Sequence, residues 1–135
     1  MSRAALLALL NRLLEAERAG AQVAKVSLAE NRDPAFAAIL QDVQKDELKW
    51  CQALMQAIHR MEGETSRAVG DFREKALAIP DMRERLAFLN RGQGWVLRKL
   101  DEALGLDPDA ETRQMLTEMR QAHDGNIARL ETALT

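Results

Sequence analysis

Apolar residues recur every three to four positions along most of the chain, a spacing that places them on one face of an α-helix. Four such stripes predict four helices, over about residues 3–30, 34–62, 82–104 and 108–134. Strands would need alternating apolar and polar positions, and they favour aromatic residues. Aromatic residues make up only 4% of this chain and tyrosine is absent. The pattern therefore predicts an all-α protein.

The ends of the predicted helices carry residues that commonly begin or stop helices. An Asp-Pro pair opens two of them, at residues 33–34 and 107–108, with proline at the first helical position because it has no N–H to donate. Asp81 and Glu84 have the spacing of a capping box. Gly105 is expected to follow the last residue of the third helix as its C-terminal glycine.

The connections between the predicted helices differ in length. The first and third are tight turns, which join antiparallel neighbours. The second, residues 63–81, is long for a compact domain, and a crossover along the length of the molecule explains it. Residues 71–78 within it predict a short helix, with Phe72 and Leu77 packed on the core. We therefore expect one domain, residues 1–135, built as an antiparallel four-helix bundle with one long crossover between helices 2 and 3.

One polar residue interrupts the apolar stripe of each predicted helix. These residues are Glu17, Glu47, Gln93 and His123, each near the midpoint of its helix. At ~1.5 Å rise per residue, the four lie within about one turn of each other. Four glycines occupy the same level, although each costs roughly 1 kcal/mol against alanine in a helix interior. The glycines are Gly20, Gly92, Gly94 and Gly125. The co-location predicts a central polar layer with room for large side chains, an ion or water.

This order of helices and polar residues resembles the ferritin-like superfamily in its broad, rubrerythrin-related sense, and small bacterial members of unknown function within it. The superfamily pattern places one Glu on helix 1, Glu-x-x-His on helix 2, one Glu on helix 3 and Glu-x-x-His on helix 4. Glu17 and Glu47 match the carboxylates of helices 1 and 2, and His123 matches the histidine of helix 4. Gln93 stands where the glutamate of helix 3 is expected.

Two more ligands of that pattern are replaced in this chain. Trp50 stands three residues after Glu47 in place of a histidine, and Arg120 stands three residues before His123 in place of a glutamate. A di-iron centre needs carboxylates that neutralise and bridge two cations. Two carboxylates cannot offset four positive charges, so the resemblance implies an incomplete di-iron site.

The remaining polar residues suit a single metal ion. Glu17, Glu47 and His123 offer two carboxylates and an imidazole, and the Gln93 oxygen or a water completes a set suited to Fe, Mn or Zn. The alternative is a metal-free polar layer that fixes helix register, with a buried glutamate paired to protonated His123 or kept neutral. An organic ligand in the central cavity is a further alternative. The sequence leaves all three open.

The charge and composition of the chain narrow the classes of partner and site that we expect. The net charge is -2 and both signs are interspersed, so no basic footprint indicates a nucleic-acid partner. The chain contains no run of 18 apolar residues, which is about the length needed to span a membrane. The only cysteine, Cys51, allows neither an internal disulfide nor a thiolate zinc site. We expect a cytoplasmic protein that binds rather than catalyses, with no catalytic residues.

The first predicted helix carries apolar residues outside its main stripe, which predict a second contact surface and favour a homodimer. These residues are Leu7, Leu9, Leu14 and Ala21.

The sequence leaves three candidate functions. The first is a metal-binding or oxidative-stress protein with a reduced site, and the second is a non-catalytic structural or interaction protein with a relict, metal-free site. The third, an oxygen-using enzyme, lacks the ligands.

Overall fold

The structure is a computed structural model that describes residues 2–135, with side chains from residue 3. The described chain forms five α-helices and no strand, which confirms the all-α prediction. No helix in this range has the length and apolar character needed to cross a membrane. The helices are α1 (Ser2–Glu30), α2 (Pro34–Arg60), α3 (Phe72–Leu77), α4 (Met82–Leu104) and α5 (Ala110–Leu134).

Two of the predicted helix starts are confirmed by side-chain caps. The Asp33 carboxylate accepts a hydrogen bond from the Ala35 amide at 2.9 Å, and Pro34 is the first helical residue of α2. The Asp81 carboxylate accepts from the Glu84 amide at 2.9 Å and opens α4. Each cap satisfies an amide that has no partner within its own helix.

The predicted end of the third helix at residue 104 is confirmed, but the predicted start of the last helix at residue 108 was wrong by two residues. Gly105 ends α4 with φ -71°, not in the left-handed conformation expected of a C-terminal glycine. Asp107 takes that conformation instead, with φ 55°. The chain therefore turns once more before α5, where Asp109 accepts from the Thr112 amide at 2.8 Å and caps the helix. The local turn, and not the Asp-Pro pair, sets this start.

The end of α2 also differs from the prediction, because the helix stops at Arg60 and not at residue 62. Glu62 has φ 60° and reverses the chain. The Gly63 amide then donates to the Ile58 carbonyl at 2.9 Å, which closes the last turn of the helix.

Contacts at their ends show that the long helices form two antiparallel hairpins. Arg3, at the start of α1, donates to the carbonyl of Met61, which follows α2. Arg83, at the start of α4, donates to the carbonyl of Leu134 at the end of α5, at 2.7 Å. Tight connections, residues 31–33 and 105–109, join the two helices of each hairpin.

The two hairpins pack side by side, α1 against α4 and α2 against α5. Arg85, near the start of α4, binds Glu30 at the end of α1 at 2.8 Å. Arg60, at the end of α2, binds Glu111 at the start of α5 at 3.2 Å. These pairs of helices are therefore antiparallel as well, and each long helix contacts two others.

The connection between α2 and α4, residues 61–81, follows α1 from one end to the other. Asn11 donates to the Glu64 carbonyl at 2.9 Å and accepts from the Ser66 amide at 2.7 Å. About two turns further along α1, Arg18 donates to the Ala68 carbonyl at 2.8 Å. Side chains of α1 therefore hold the polar backbone of a segment that has few backbone hydrogen bonds of its own.

The connection contains α3, as the sequence predicted. The Phe72 ring stacks on Phe88 of α4, with ring centroids 5.0 Å apart. A Cβ on Gly92 would lie 2.7 Å from the Phe72 ring, so this glycine makes room for α3 to approach α4. Leu77 packs against the adjacent hydrophobic cluster.

Two hydrophobic clusters fill the interior, one toward each end. The first contains Leu10, Leu54 and Leu116, and the second contains Leu40 and Leu86, all fully buried. Every long helix contributes to both clusters. The polar layer lies between them, so the molecule has an apolar core at each end and a polar level in the middle.

The prediction of a second contact surface on the first helix rested on residues that are packed within the chain. Leu14 and Ala21 are buried within the chain, and Leu7 and Leu9 are half-buried. The reason is that α1 packs against α2, α3 and α4 together and therefore buries more than one stripe. Leu7, for example, lies against Gly63 of the connection.

Candidate metal centre

The structure places Glu17, Glu47, Gln93 and His123 in the interior, each with at most 3% of its surface exposed. Glu17, Glu47 and His123 come together: one ligand atom from each lies within 4.8 Å of the others. They arrive from three helices, α1, α2 and α5. Gln93, from α4, lines the same cavity as the two glutamates, and its amide lies 3.4 Å from the Asn90 side-chain oxygen.

The backbone of α5 orients the His123 ring. Its Nδ1 lies 3.0 Å from the Met119 carbonyl oxygen. Because a carbonyl can only accept, Nδ1 carries the proton and donates. In the neutral imidazole, Nε2 then has a free lone pair, which is the arrangement found in metal-bound histidines.

The Nε2 atom of His123 lies 2.8 Å from Glu17 Oε1. This distance fits an ion pair, but neither atom has a hydrogen-bond partner with suitable geometry. A hydrogen bond weakens steeply when it is misaligned, even at a short distance. The contact is therefore an approach of two ligand atoms rather than a formed hydrogen bond.

The polar layer holds every buried side-chain nitrogen or oxygen that lacks a hydrogen-bond partner among the described residues. An unsatisfied buried polar group costs roughly 1–3 kcal/mol, so five at one level are a large concentrated cost. Four of the five have a free lone pair, given the tautomer of the histidine, and can therefore accept a hydrogen bond or coordinate a cation. The atoms are Glu17 Oε1, Glu47 Oε2, Trp50 Nε1, Gln93 Oε1 and His123 Nε2. One bound cation would provide a partner for most of them.

Burial changes the acidity of both glutamates. The pKa of Glu17 is raised to about 8, chiefly by burial; the contact with Glu47 opposes this rise and the charge of Asp46 adds to it. Burial, followed by the charge of Glu17, raises the pKa of Glu47 well above its usual range. Without a cation, the two carboxyl groups therefore hold protons near neutral pH. A divalent ion would displace those protons, which couples metal binding to proton release.

Gly20 leaves room for the carboxylate of Glu47. A Cβ on Gly20 would lie 2.7 Å from Glu47 Oε2 and 2.8 Å from its carboxyl carbon. Any other residue there would displace the Glu47 carboxylate. Gly125 has open space at its Cβ position, and Gly94 meets only the far end of a side chain at 3.9 Å. The structure thus explains Gly20 and Gly92 by close approach, and it does not explain Gly94 and Gly125.

A cavity of about 430 Å³ connects the polar layer with the surface, between α1, α4 and the 61–81 connection. Glu17, Glu47 and Gln93 line its inner end, whereas Arg12 and Arg91 are exposed residues that line its outer part. An ion in the layer would therefore be within reach of small molecules from this side.

One family profile covers nearly the whole chain. It is described as a domain of unknown function (DUF6306) and matches residues 4–132. The chain belongs to the DUF6306 family. No curated protein and no solved structure matches it significantly. The function of this DUF6306 chain therefore has to be argued from its own geometry.

The two positions where the resemblance led us to expect further ligands hold none in the DUF6306 chain. Trp50 points into the core with 3% of its surface exposed. Arg120 extends away from the layer and binds Asp101 at 2.7 Å. Asp46 is half-buried beside the layer and accepts from the buried Asn126 at 3.1 Å. Asn126 was missed by sequence reasoning, because asparagine on a helix face gives no signal of burial.

Proposed function

We propose that the chain is a ferritin-like four-helix bundle that binds one metal ion through Glu17, Glu47 and His123. Two antiparallel hairpins packed side by side, and a connection that follows α1 along its length, support the fold. Bundles with one long crossover have this arrangement. The ligand set is reduced relative to the di-iron pattern of the superfamily.

The observation that carries the proposal is the convergence of three buried ligand atoms, within 4.8 Å of one another and without hydrogen-bond partners. Metal–ligand bonds to nitrogen and oxygen are about 2.0–2.2 Å long. Two ligands of one ion are thus at most about 4.4 Å apart, so small side-chain shifts suffice to close the three atoms around a single cation. Two divalent cations would carry four positive charges, which the two carboxylates of this layer cannot offset.

The charge balance also favours one divalent ion. The carboxylates of Glu17 and Glu47 neutralise its two positive charges, and neutral His123 adds none. A neutral site is compatible with burial between two apolar clusters, whereas an uncompensated charge is not. A set of two carboxylates and one imidazole suits Fe, Mn or Zn, whereas Mg and Ca prefer oxygen ligands alone. The Gln93 oxygen or a water would complete the coordination.

The cavity supports a role for the bound ion beyond structure. It ends at Glu17, Glu47 and Gln93, so an open coordination position would face a route from the surface. With Fe or Mn bound, oxygen or peroxide would reach the ion by this route. We therefore propose a metal-binding protein related to oxidative stress.

A non-catalytic structural or interaction protein with a metal-free layer is the second candidate. The observation that favours it is the 2.8 Å approach of His123 Nε2 to Glu17 Oε1, because a protonated histidine could pair with an ionised glutamate there. A homodimer and a cytoplasmic location stay predictions of the sequence. Size-exclusion chromatography with light scattering tests the first of these.

Elemental analysis of untagged protein, purified without chelator and then loaded with Fe(II), Mn(II) or Zn(II), tests the metal site. We expect about one ion per chain from the ligand set. Glu17→Gln and His123→Gln should abolish stoichiometric binding, with helicity retained by circular dichroism. Glu118→Gln and His59→Gln are matched controls, since both residues are exposed. No metal after loading would support the metal-free alternative, and equal binding in all four variants would refute Glu17 and His123 as ligands.

A further inference from the structure

The geometry points to a second ligand at this site: a small organic carboxylate with an apolar body, bound in the cavity between α1, α4 and the 61–81 connection. Its carboxylate would lie at the outer part beside Arg12 and Arg91, and its body would extend inward toward Gln93. The inference goes beyond metal binding, and it does not require that an ion be present.

The outer part of the cavity offers unpaired positive charge. Neither Arg12 nor Arg91 forms a salt bridge with any residue in the described range 2–135. Of the two acids that line this part, Asp71 is paired with Lys75 at 3.0 Å. Glu15 accepts from Ser66 and is the remaining negative charge. Two guanidinium groups thus face one free carboxylate, which favours an anionic ligand.

Aromatic rings hold both guanidinium groups in place. The Arg12 guanidinium lies 5.4 Å from the centre of the Trp95 ring, and that of Arg91 lies 5.6 Å from the centre of the Phe88 ring. Stacking on an aromatic face leaves the edge N–H groups of arginine free to donate. Those N–H groups are the ones that bind a carboxylate with two parallel hydrogen bonds.

The walls of the cavity are mainly apolar. Phe72, Phe88 and Trp95 line it together with Val69 and Val96. The stacked pair Phe72 and Phe88 joins the connection to α4, 5.0 Å between ring centres. Small-molecule sites are typically concave, mostly apolar and equipped with a few polar groups. This cavity has that composition, with its cations at the outer part.

The depth of the cavity sets the length of ligand that it can hold. Gln93, which lines its inner end, is only 3% exposed. A volume of about 430 Å³ lies within the usual range of ligand pockets, roughly 300–1,000 Å³. An extended acid of moderate length fits this space, whereas acetate would leave the apolar walls uncovered.

Isothermal titration calorimetry with octanoate tests the inference. Octylammonium, with the same body and opposite charge, and acetate, with the same charge and no body, are the matched probes. We expect saturable binding of octanoate, one per chain, and at least tenfold weaker binding of both other probes. Equal binding of octanoate and octylammonium, or no saturable binding of octanoate, would overturn the inference.

Variants locate the ligand in the cavity. Replacing both Arg12 and Arg91 by glutamine should weaken octanoate binding at least tenfold, while Arg98→Gln, on the exposed face of α4, should leave it unchanged. Octanoate should also change the fluorescence of Trp95, and Trp95→Phe should remove that change. Helicity and thermal midpoints verify that the variants fold. Unaltered affinity in the double variant would overturn the assignment of the carboxylate to these arginines.

The titration is repeated with metal-free and metal-loaded protein, which separates the two proposals. Octanoate binding that depends on Arg12 and Arg91 in a protein that never binds metal would refute the metal site alone. Stoichiometric metal without octanoate binding would refute the carboxylate site alone. If both bind, octanoate should leave the visible spectrum of a Co(II)-substituted sample unchanged, because its carboxylate lies beside Arg12 and Arg91; a spectral change from carboxylate coordination would overturn that placement.

Discussion

Glu17→Gln should stabilise the metal-free protein while it abolishes metal binding. The pKa of Glu17 is about 8 in the folded chain, against an ordinary value of 4.5. Because the folded pKa is raised, the stability contribution of this group is fully present below about pH 4.5 and is lost as pH rises toward 8. One pKa unit corresponds to about 1.4 kcal/mol, so folding with Glu17 neutral costs on the order of 3 kcal/mol at pH 7 and 5 kcal/mol above pH 8.

Glutamine has nearly the same shape as glutamic acid, and its side chain does not ionise in this pH range. The variant therefore avoids this cost. Urea unfolding monitored by circular dichroism, with chelator and at pH values near 5, 7 and 8.5, measures the difference. We expect the free energy of unfolding of the variant to exceed that of the natural chain by about 1 kcal/mol or less near pH 5 and by about 3 kcal/mol at pH 7. Glu118→Gln, at an exposed position, should change stability by no more than about 0.5 kcal/mol.

Metal binding should make the natural chain more stable than the Glu17→Gln variant. An ion present at about 1,000 times its Kd stabilises the folded natural chain by about 4 kcal/mol, and the variant gains nothing. A variant that is less stable than the natural chain at pH 7 in chelator would refute the reasoning about the buried carboxyl group. A variant with an equal metal-dependent gain would show that Glu17 is not a ligand.

Three further outcomes follow from the same structure. Gly20→Ala places a Cβ 2.7 Å from the Glu47 carboxylate and should abolish metal binding in elemental analysis; Gly125→Ala meets open space and should retain binding and raise stability by about 1 kcal/mol. Asp109→Ala removes the cap of α5 and should lower the free energy of unfolding by about 1 kcal/mol in urea titration. Burial raises the pKa of Cys51 to about 12, so its thiol should resist alkylation at pH 8 until the protein unfolds, and rapid labelling of the native chain would contradict this.

The spacing of apolar residues was enough to determine the long helices, because helical periodicity is a local property of the chain. It also located the polar layer, since Glu17, Glu47, Gln93 and His123 each interrupt a stripe at the same level. The short helix in the connection followed from the same reasoning, with Phe72 on the core.

Local turn chemistry limited the prediction of helix ends. The Asp-Pro pair at 33–34 begins a helix, whereas the same pair at 107–108 does not. The difference is that Asp107 takes a left-handed conformation and Asp109 supplies the cap instead. Two capping residues in competition cannot be ranked from the sequence, because their hydrogen bonds depend on the path of the preceding turn.

Only the tertiary structure decided what the polar layer can do. The geometry of the layer depends on how each helix is rotated about its axis. This rotation sets the distance between Glu17 and His123, the direction of the free lone pair of the imidazole, and the fit of the Glu47 carboxylate against Gly20. Periodicity leaves that rotation uncertain by a fraction of a turn, which moves a side chain by several ångströms. The cavity between α1, α4 and the connection has the same origin, since Arg12 and Arg91 are far apart in the sequence and line one cavity only when the helices pack.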